Sequence, residues 1–252
     1  MNDNLKKFFE EHPKCAIAFS GGCDSVYLMH CALECGCDVR GYFIRSEFNS
    51  LDDRNSALET AFSMGACVSV VQAELLDDPS IVDNDCDRCY YCKRTSMQAM
   101  IRKAYVDGYN VFLDGTNADD YDENKPSCKA LKELRIISPL ALCGVGRKEV
   151  REGLKEANLP AAEMPETSCT AARIEEGMQL NKMNLGKVES CENFLKKRGF
   201  SDFRVYLTKE GGKISLTEVD YPKAMEIKGD IISHVKKTMS NAVIDENFRK
   251  SK

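Results

Sequence analysis

Two groups of residues in this chain have the types and spacing to do chemistry. Cys86, Cys89 and Cys92 stand at three-residue intervals within Asp85-Cys86-Asp87-Arg88-Cys89-Tyr90-Tyr91-Cys92-Lys93. Closely spaced thiolates suit Zn²⁺ or an iron–sulfur cluster, with unligated thiols as the remaining alternative. Cys169, in Thr167-Ser168-Cys169-Thr170-Ala171-Ala172-Arg173, is a further candidate thiol. The second group is Ser20-Gly21-Gly22-Cys23-Asp24-Ser25. Its glycines let the backbone pass close to a phosphate. The N–H groups of such a turn and of the helix after it face an anion. Ser20 and Ser25 add hydroxyl donors, and a carboxylate at Asp24 fits a Mg²⁺ ion bridging a triphosphate. An ordinary strand-to-helix turn is the alternative.

Those residues need elements to hold them. Cys15 to Phe19 is a short apolar run ending at Ser20-Gly21-Gly22, as in a buried parallel strand. From Asp24 to about Glu34 the pattern is helical, with Val26, Met29 and Leu33 on one face and Leu28, Cys31 and Cys35 on another. Further strands are expected at Val39 to Ile44, Cys67 to Val71 and Val111 to Leu113. Helices are expected at Asp53 to Met64, Lys93 to Tyr105 and Arg147 to Asn158. Strands alternating with helices predict an α/β fold, a doubly wound parallel sheet whose ligands sit outside the carboxyl ends of the strands. Ser20-Gly21-Gly22 and Asp114-Gly115-Thr116-Asn117 both fall at such ends.

The pattern changes after about Pro165. Leu185 to Lys197 is amphipathic. Phe203, Val205 and Leu207 alternate with Arg204 and Tyr206 as in a half-buried strand, and Ile214 and Leu216 begin another after a turn at Gly211-Gly212. A small C-terminal α+β domain is expected, giving a division at 1–166 and 167–252. The last dozen residues are polar and are expected to fray.

Composition narrows the field. A formal net charge of −5 gives no electrostatic support for a nucleic-acid partner, so a small molecule is the expected ligand. No apolar stretch is long enough to span a bilayer, and Met1 to Pro13 lacks the apolar core of a secretion signal, so a cytoplasmic protein is expected. Thirteen cysteines, an odd number at irregular spacing, do not suggest a disulfide framework. Cys31, Cys35, Cys67 and Cys191 read as small buried hydrophobes.

The hexapeptide Ser20-Gly21-Gly22-Cys23-Asp24-Ser25 resembles the signature of the PP-loop ATP pyrophosphatases, and the lysine of ordinary phosphoryl-transfer loops is absent. That resemblance implies ATP–Mg²⁺ at Ser20, Gly21, Gly22, Asp24 and Ser25, transfer of AMP to a carboxylate or carbonyl oxygen, and release of pyrophosphate. Arg88-Cys89-Tyr90-Tyr91-Cys92-Lys93, Asp114-Gly115-Thr116-Asn117-Ala118-Asp119-Asp120, Ser138-Pro139-Leu140 and Cys169-x-x-x-Arg173 follow in order. Together they look like the LarE family of ATP-dependent sulfur transferases, over most of the chain.

That closer resemblance implies conversion of the carboxylates of pyridinium-3,5-biscarboxylic acid mononucleotide to thiocarboxylates, a step toward a nickel-pincer cofactor. One subgroup sacrifices a single cysteine, at the position Cys169 matches. The other holds a 4Fe–4S cluster through three cysteines, which Cys89, Cys92 and Cys169 match, leaving Cys86 outside the set. Cys169, Asp24, Lys93 and Arg173 become the candidate catalytic residues, and Asp120 and Arg204 the candidate substrate-binding residues. A homo-oligomer is expected; the sulfur donor is open. The family carries an arginine where this chain has Tyr206, and a histidine-glycine turn where it has Thr208-Lys209-Glu210-Gly211-Gly212, so the substrate is the least fixed part of the reading. Competing readings are tRNA thiolation, ammonia-dependent amidation, and a non-catalytic metal-dependent nucleotide sensor.

Overall fold

The computed structural model describes residues 1–164 and 169–249. Thr167 and Ser168 of the Cys169 motif, and the expected division at 166/167, lie outside the described residues. In chain order the first elements are α1 (Asp3–Glu11), β1 (Lys14–Ala18), α2 (Cys23–Glu34), β2 (Asp38–Arg45), α3 (Leu51–Ser63) and β3 (Val68–Gln72). Next come α4 (Pro79–Val82), α5 (Arg88–Val106), β4 (Phe112–Leu113), α6 (Pro126–Glu133), α7 (Pro139–Leu142) and α8 (Arg147–Glu156). Short 3₁₀ turns at Pro160–Glu163 and Thr170–Arg173 lead to α9 (Lys182–Lys197), β5 (Phe203–Thr208), β6 (Gly211–Leu216), α10 (Tyr221–Glu226), α11 (Lys228–Val235) and β7 (Ala242–Ile244). Contacts divide the chain into two units, Met1–Leu75 with Asp87–Glu166, and Leu76–Cys86 with Thr167–Lys252.

The first unit is α/β. Its parallel sheet has the order β3-β2-β1-β4, with Ile17 paired to Gly41 on one side and Leu113 on the other. Cys15, Ala16 and Ile17 are fully buried, which explains why β1 reads as a continuous apolar run. Successive residues of a strand face opposite sides, and Gly41 and Tyr42 show what covers each. A Cβ on Gly41 would lie 2.9 Å from Met29 Cε of α2. The Tyr42 hydroxyl donates to Asp107, just beyond α5, at 3.0 Å. Helices α2 and α5 therefore lie on opposite faces, as expected of a doubly wound sheet.

Helix α2 is buried nearly all round through Val26, Leu28, Met29, Cys31 and Ala32, which accounts for its two apolar faces. Val26, Leu28 and Met29 each contribute roughly 1.5–3 kcal/mol on burial. Helix α1 was not expected from the sequence. Asn2 caps it, accepting from Asn4 N at 3.0 Å, and Leu5, Phe8 and Phe9 bury one face. Helix α3 starts at Leu51 rather than Asp53 because Ser50 and Asp53 form a reciprocal capping box. Helix α5 starts at Arg88, five residues before the expected Lys93, so Cys89 and Cys92 are helical.

In the second unit β5 and β6 form an antiparallel hairpin, and β7 runs parallel to β6. The turn is Lys209-Glu210, not Gly211-Gly212, which open β6. Close approach of neighbouring chain explains the glycines there: a Cβ on Gly211 would lie 2.6 Å from Asn241 O, and one on Gly212 2.5 Å from Val235 Cγ1. Within the last dozen residues, expected to fray, Ala242–Ile244 joins the sheet, and 250–252 lie outside the described residues. Leu185, Val188, Cys191 and Leu195 of α9 are buried.

The cysteines sort differently from the expectation. Cys31 and Cys191 are buried and Cys35 is half-buried, but Cys67 is exposed, one residue before β3 begins. Burial pushes the Cys15 and Cys31 thiols up to about 12. Among the described residues no helix is long and apolar enough to cross a membrane.

Candidate functional site

The sheet order puts a topological switch point between β1 and β4, the place where a doubly wound sheet forms its ligand crevice. The chain leaves β1 for β2 on one side and returns to β4 on the other, so the loops after β1 and β4 start from neighbouring strand ends. Both expected motifs sit there. After β1, Gly21 adopts φ +80°, and a Cβ on it would lie 2.6 Å from Ala57 Cβ of α3. Gly22 is the N-cap of α2 and, being a glycine, makes no side-chain capping hydrogen bond there. The Ser25 hydroxyl donates to Gly22 O at 3.0 Å and accepts from Ser20 N at 3.2 Å. Ser20 Oγ lies 3.1 Å from Ser25 Oγ and accepts from Gly22 N at 3.3 Å. The hydroxyls expected to face a ligand thus first brace the loop. Asp24 is half-buried in the first turn of α2.

The loop after β4 packs onto that turn, because a Cβ on Gly115 would lie 3.0 Å from Ser25 N. Asp114, beside Gly115, is 3% exposed. Its Oδ2 accepts from Lys93 Nζ at 3.2 Å and Thr116 Oγ1 at 2.8 Å. Its Oδ1 accepts from Ser138 Oγ at 2.6 Å and Thr116 N at 3.3 Å. A carboxylate buried so deeply requires such partners, and the lysine is the only cation among these four donors. Lys93 lies in the second turn of α5, not at a helix start, so the unfavourable dipole end expected for it is displaced toward Arg88.

Further along the same loop, Asn117 is fully buried and its Oδ1 accepts from Asp119 N at 2.9 Å and Asp120 N at 3.0 Å. Asp119 accepts from Arg147 N at 2.7 Å, bracing the start of α8. Asp120 is gripped by the Arg147 guanidinium and by Asn117 Nδ2 at 3.0 Å. Burial pushes the Asp120 carboxyl up, but the hydrogen bond and charge of Arg147 outweigh it and hold the group below its usual value.

Cys89 and Cys92 stand three residues apart in the first two turns of α5, where side chains at that spacing are neighbours. Cys89 is exposed, Cys92 half-buried, and the Arg88 guanidinium lies 3.5 Å from Cys89 Sγ. Cys169 is exposed at the start of the Thr170–Arg173 turn, and Cys86 is exposed before α5. Cys89 and Cys92 belong to the first unit, Cys86 and Cys169 to the second. Among the described residues, no three His, Cys, Asp or Glu side chains are gathered into a ready-made metal site. Accessible thiols fit a soft metal or an iron–sulfur cluster by donor chemistry, unlike buried Cys15 and Cys31.

Within the second unit, Arg173 and Arg204 are 5% and 7% exposed. Burial lowers the Arg204 guanidinium from its usual value, and the charges of Arg173 and Arg249 add to that. Glu192 Oε1 accepts from Arg173 Nε and from Val205 N, each at 3.1 Å, joining α9 to both arginine-bearing segments. Tyr206 pairs across the hairpin with Lys213, whose ammonium lies 2.7 Å from Asp245. Asp114, Asn117, Arg147 and Glu192 were not singled out as site residues from the sequence. Asp114 and Asn117 lay inside a quoted motif, but nothing local marked Arg147 or Glu192.

No family model matches the chain. It is 30% identical to an uncharacterized protein of Methanocaldococcus jannaschii over 94% of its length and 90% of that protein. It is also 30% identical to an uncharacterized protein of Synechocystis sp. over 85% of its length and 80% of that protein. The chain belongs to the family of these two proteins. A more distant relative, 28% identical over 80% of this chain and 74% of its own length, is the pyridinium-3,5-bisthiocarboxylic acid mononucleotide synthase of Lactiplantibacillus plantarum. That match supports the LarE family, which the motifs resemble.

Proposed function

We propose that this family member is an enzyme, an ATP-dependent sulfur transferase that adenylates a substrate carboxylate and converts it to a thiocarboxylate. The observation that carries the reading is the pairing of two loops at one crevice. The glycine loop Ser20–Ser25 leads into the N-terminal end of α2, and the adjoining loop carries Asp114, which Lys93 of α5 pairs with. Backbone N–H groups at that end of α2 suit the phosphates of ATP. Asp24 would hold Mg²⁺, which neutralises triphosphate charge. A carboxylate oxygen of the substrate attacks the α-phosphorus, the bond to the bridging oxygen breaks, and pyrophosphate leaves with an acyl-adenylate formed. Lys93, held by Asp114, supplies positive charge where the phosphates carry negative charge.

Cys89, Cys92 and Cys169 would hold a 4Fe–4S cluster, which when bound supplies the sulfide that displaces AMP. Arg173 and Arg204 suit the anionic groups of a nucleotide-like substrate, through guanidinium forks that Glu192 and the Phe203 carbonyl orient. The relative from Lactiplantibacillus plantarum makes pyridinium-3,5-biscarboxylic acid mononucleotide the first substrate to try. Tyr206 in place of an arginine leaves room for a different carboxylate. The test is incubation with ATP, Mg²⁺ and that mononucleotide under exclusion of oxygen. Substrate-dependent pyrophosphate and AMP release together with a thiocarboxylate, read by mass spectrometry, supports the reading. Release of neither product, with ATP merely bound, favours the nucleotide sensor.

A further inference from the structure

Asn84 is fully buried and adopts φ +55°, a conformation that asparagine tolerates better than most residues. Its side-chain nitrogen is directed at three backbone carbonyls, Glu175 O at 2.9 Å, Met178 O at 2.9 Å and Ile174 O at 3.3 Å. An amide NH₂ has two hydrogens, so at least one is shared between carbonyls. The backbone adds to the grip: Gly177 N donates to Asn84 O and Leu180 N to Val82 O, each at 2.9 Å. Residues 82–84 are thereby fastened along residues 174–180, some ninety positions later in the chain.

The gripped loop continues directly from the turn that Cys169 opens. Ala172 N donates to Cys169 O at 3.0 Å and Ile174 N to Ala171 O at 3.2 Å, so Cys169 to Ile174 is one compact piece. On its far side Glu175 N donates to Leu207 O at 2.9 Å, and the Glu175 carboxylate accepts from Lys209 N at 2.8 Å. The loop is therefore held between β5 and Asn84. Asn84 in turn lies two residues before Cys86 and five before Cys89.

We propose that Asn84 is a positioning residue for the sulfur-transfer site: its carboxamide sets the Cys169–Arg173 turn and ties it to the segment that leads into Cys89 and Cys92. This rests on the sulfur-transferase reading above. A generic buried asparagine would contribute to stability throughout the unit. A positioning asparagine acts on residues 174–180 and on the chemistry of Cys169, and leaves the Ser20–Ser25 loop untouched.

Two variants test it. Asn84→Gly accepts the positive φ and removes the grip. Asn84→Asp keeps the shape but turns an oxygen toward three carbonyl oxygens. Hydrogen exchange is followed by mass spectrometry, with pyrophosphate release and thiocarboxylate formation measured on the same anaerobic preparations. The expected result is exchange at Gly177 and Leu180 faster by roughly tenfold or more, the scale of losing buried hydrogen bonds to carbonyls. Protection elsewhere stays, substrate-dependent pyrophosphate release is retained, and thiocarboxylate formation falls at least as far. In Asn84→Asp protection returns on acidification, because a protonated carboxyl regains a donor. Unchanged exchange at Gly177 and Leu180, protection lost evenly across the unit, unfolding of both variants, or equal loss of both activities overturns the proposal. If the wild type forms neither product, the sulfur-transferase reading fails on its own, and the positioning role for a sulfur site falls with it even where the exchange pattern confirms the local grip.

Discussion

Replacing Lys93 with methionine tests the electrostatic design of the crevice. The Asp114 side chain is 4% exposed and Lys93 28%, so the pair is deep at one end and wetted at the other. In Lys93→Met the carboxylate keeps its bonds from Thr116 and Ser138 and loses its charge-assisted one. A hydrogen bond to a charged group is worth about 1.5–3 kcal/mol, and the wetted ammonium places the loss near the middle, about 2 kcal/mol. Asp114→Asn leaves the lysine a route to solvent but sets an NH₂ group against donors, for a loss of about 2–4 kcal/mol. The double variant should be less destabilised than the sum by about 1–2 kcal/mol, the coupling of residues in direct contact. Urea unfolding of the four proteins measures this, followed with a probe in the first unit because the two units need not unfold together. Additivity within about 0.5 kcal/mol would refute the pairing as the feature that sets Lys93 in place.

Gly21→Ala should cost about 2 kcal/mol or more and abolish pyrophosphate release, since the new Cβ meets the Ala57 backbone at 2.7 Å in a positive-φ conformation. Gly22→Ala, whose Cβ would meet only Ser20 Oγ at 3.5 Å, should cost less than about 1 kcal/mol in the same melt. For Asp120, the lowered folded pKa means that the Arg147 pair stabilises the protein at pH above the ordinary carboxylate value and loses that contribution as pH falls through the folded value. Arg147→Met should move the carboxyl titration upward, as read by NMR; an unmoved midpoint contradicts the assignment. In protein stripped of iron by chelation, alkylation at pH 8 with peptide mapping should label exposed Cys67, Cys86, Cys89 and Cys169 well before Cys15 and Cys31, whose thiols burial pushes to about 12. Labelling of Cys31 ahead of Cys89 contradicts that order.

Periodicity made much of the first unit legible. The apolar run of β1 and the two-faced pattern of α2 report burial directly, and the observed elements, Lys14–Ala18 and Cys23–Glu34, lie within a residue of the expected Cys15 to Phe19 and Asp24 to about Glu34. Boundaries failed where side-chain chemistry decided them: the Ser50–Asp53 box starts α3 early, and α5 begins at Arg88 inside the cysteine run. Gly211 and Gly212 look like turn residues, but Asn241 demands the first and Val235 and Met239 the second, all more than twenty residues away in sequence. The crevice followed the same division. Its glycine loop was readable because Gly21 answers a local backbone need, while Asp114 and Arg147 act through partners remote in sequence, as Glu192 does within the second unit. Asn84 is the extreme case, since its three carbonyl partners carry no sequence signature at all.

The most direct test of the sulfur-transfer account is one anaerobic turnover with ATP, Mg²⁺ and the pyridinium biscarboxylate mononucleotide, with product and intact protein masses recorded together. The account predicts a thiocarboxylate product and a polypeptide of unchanged mass, with Cys169→Ala inactive in thiocarboxylate formation. A thiocarboxylate accompanied by a polypeptide lighter by the mass of hydrogen sulfide would mean that Cys169 itself is consumed, contradicting the cluster. Full thiocarboxylate formation by Cys169→Ala, or none by the wild type, would contradict the account as a whole.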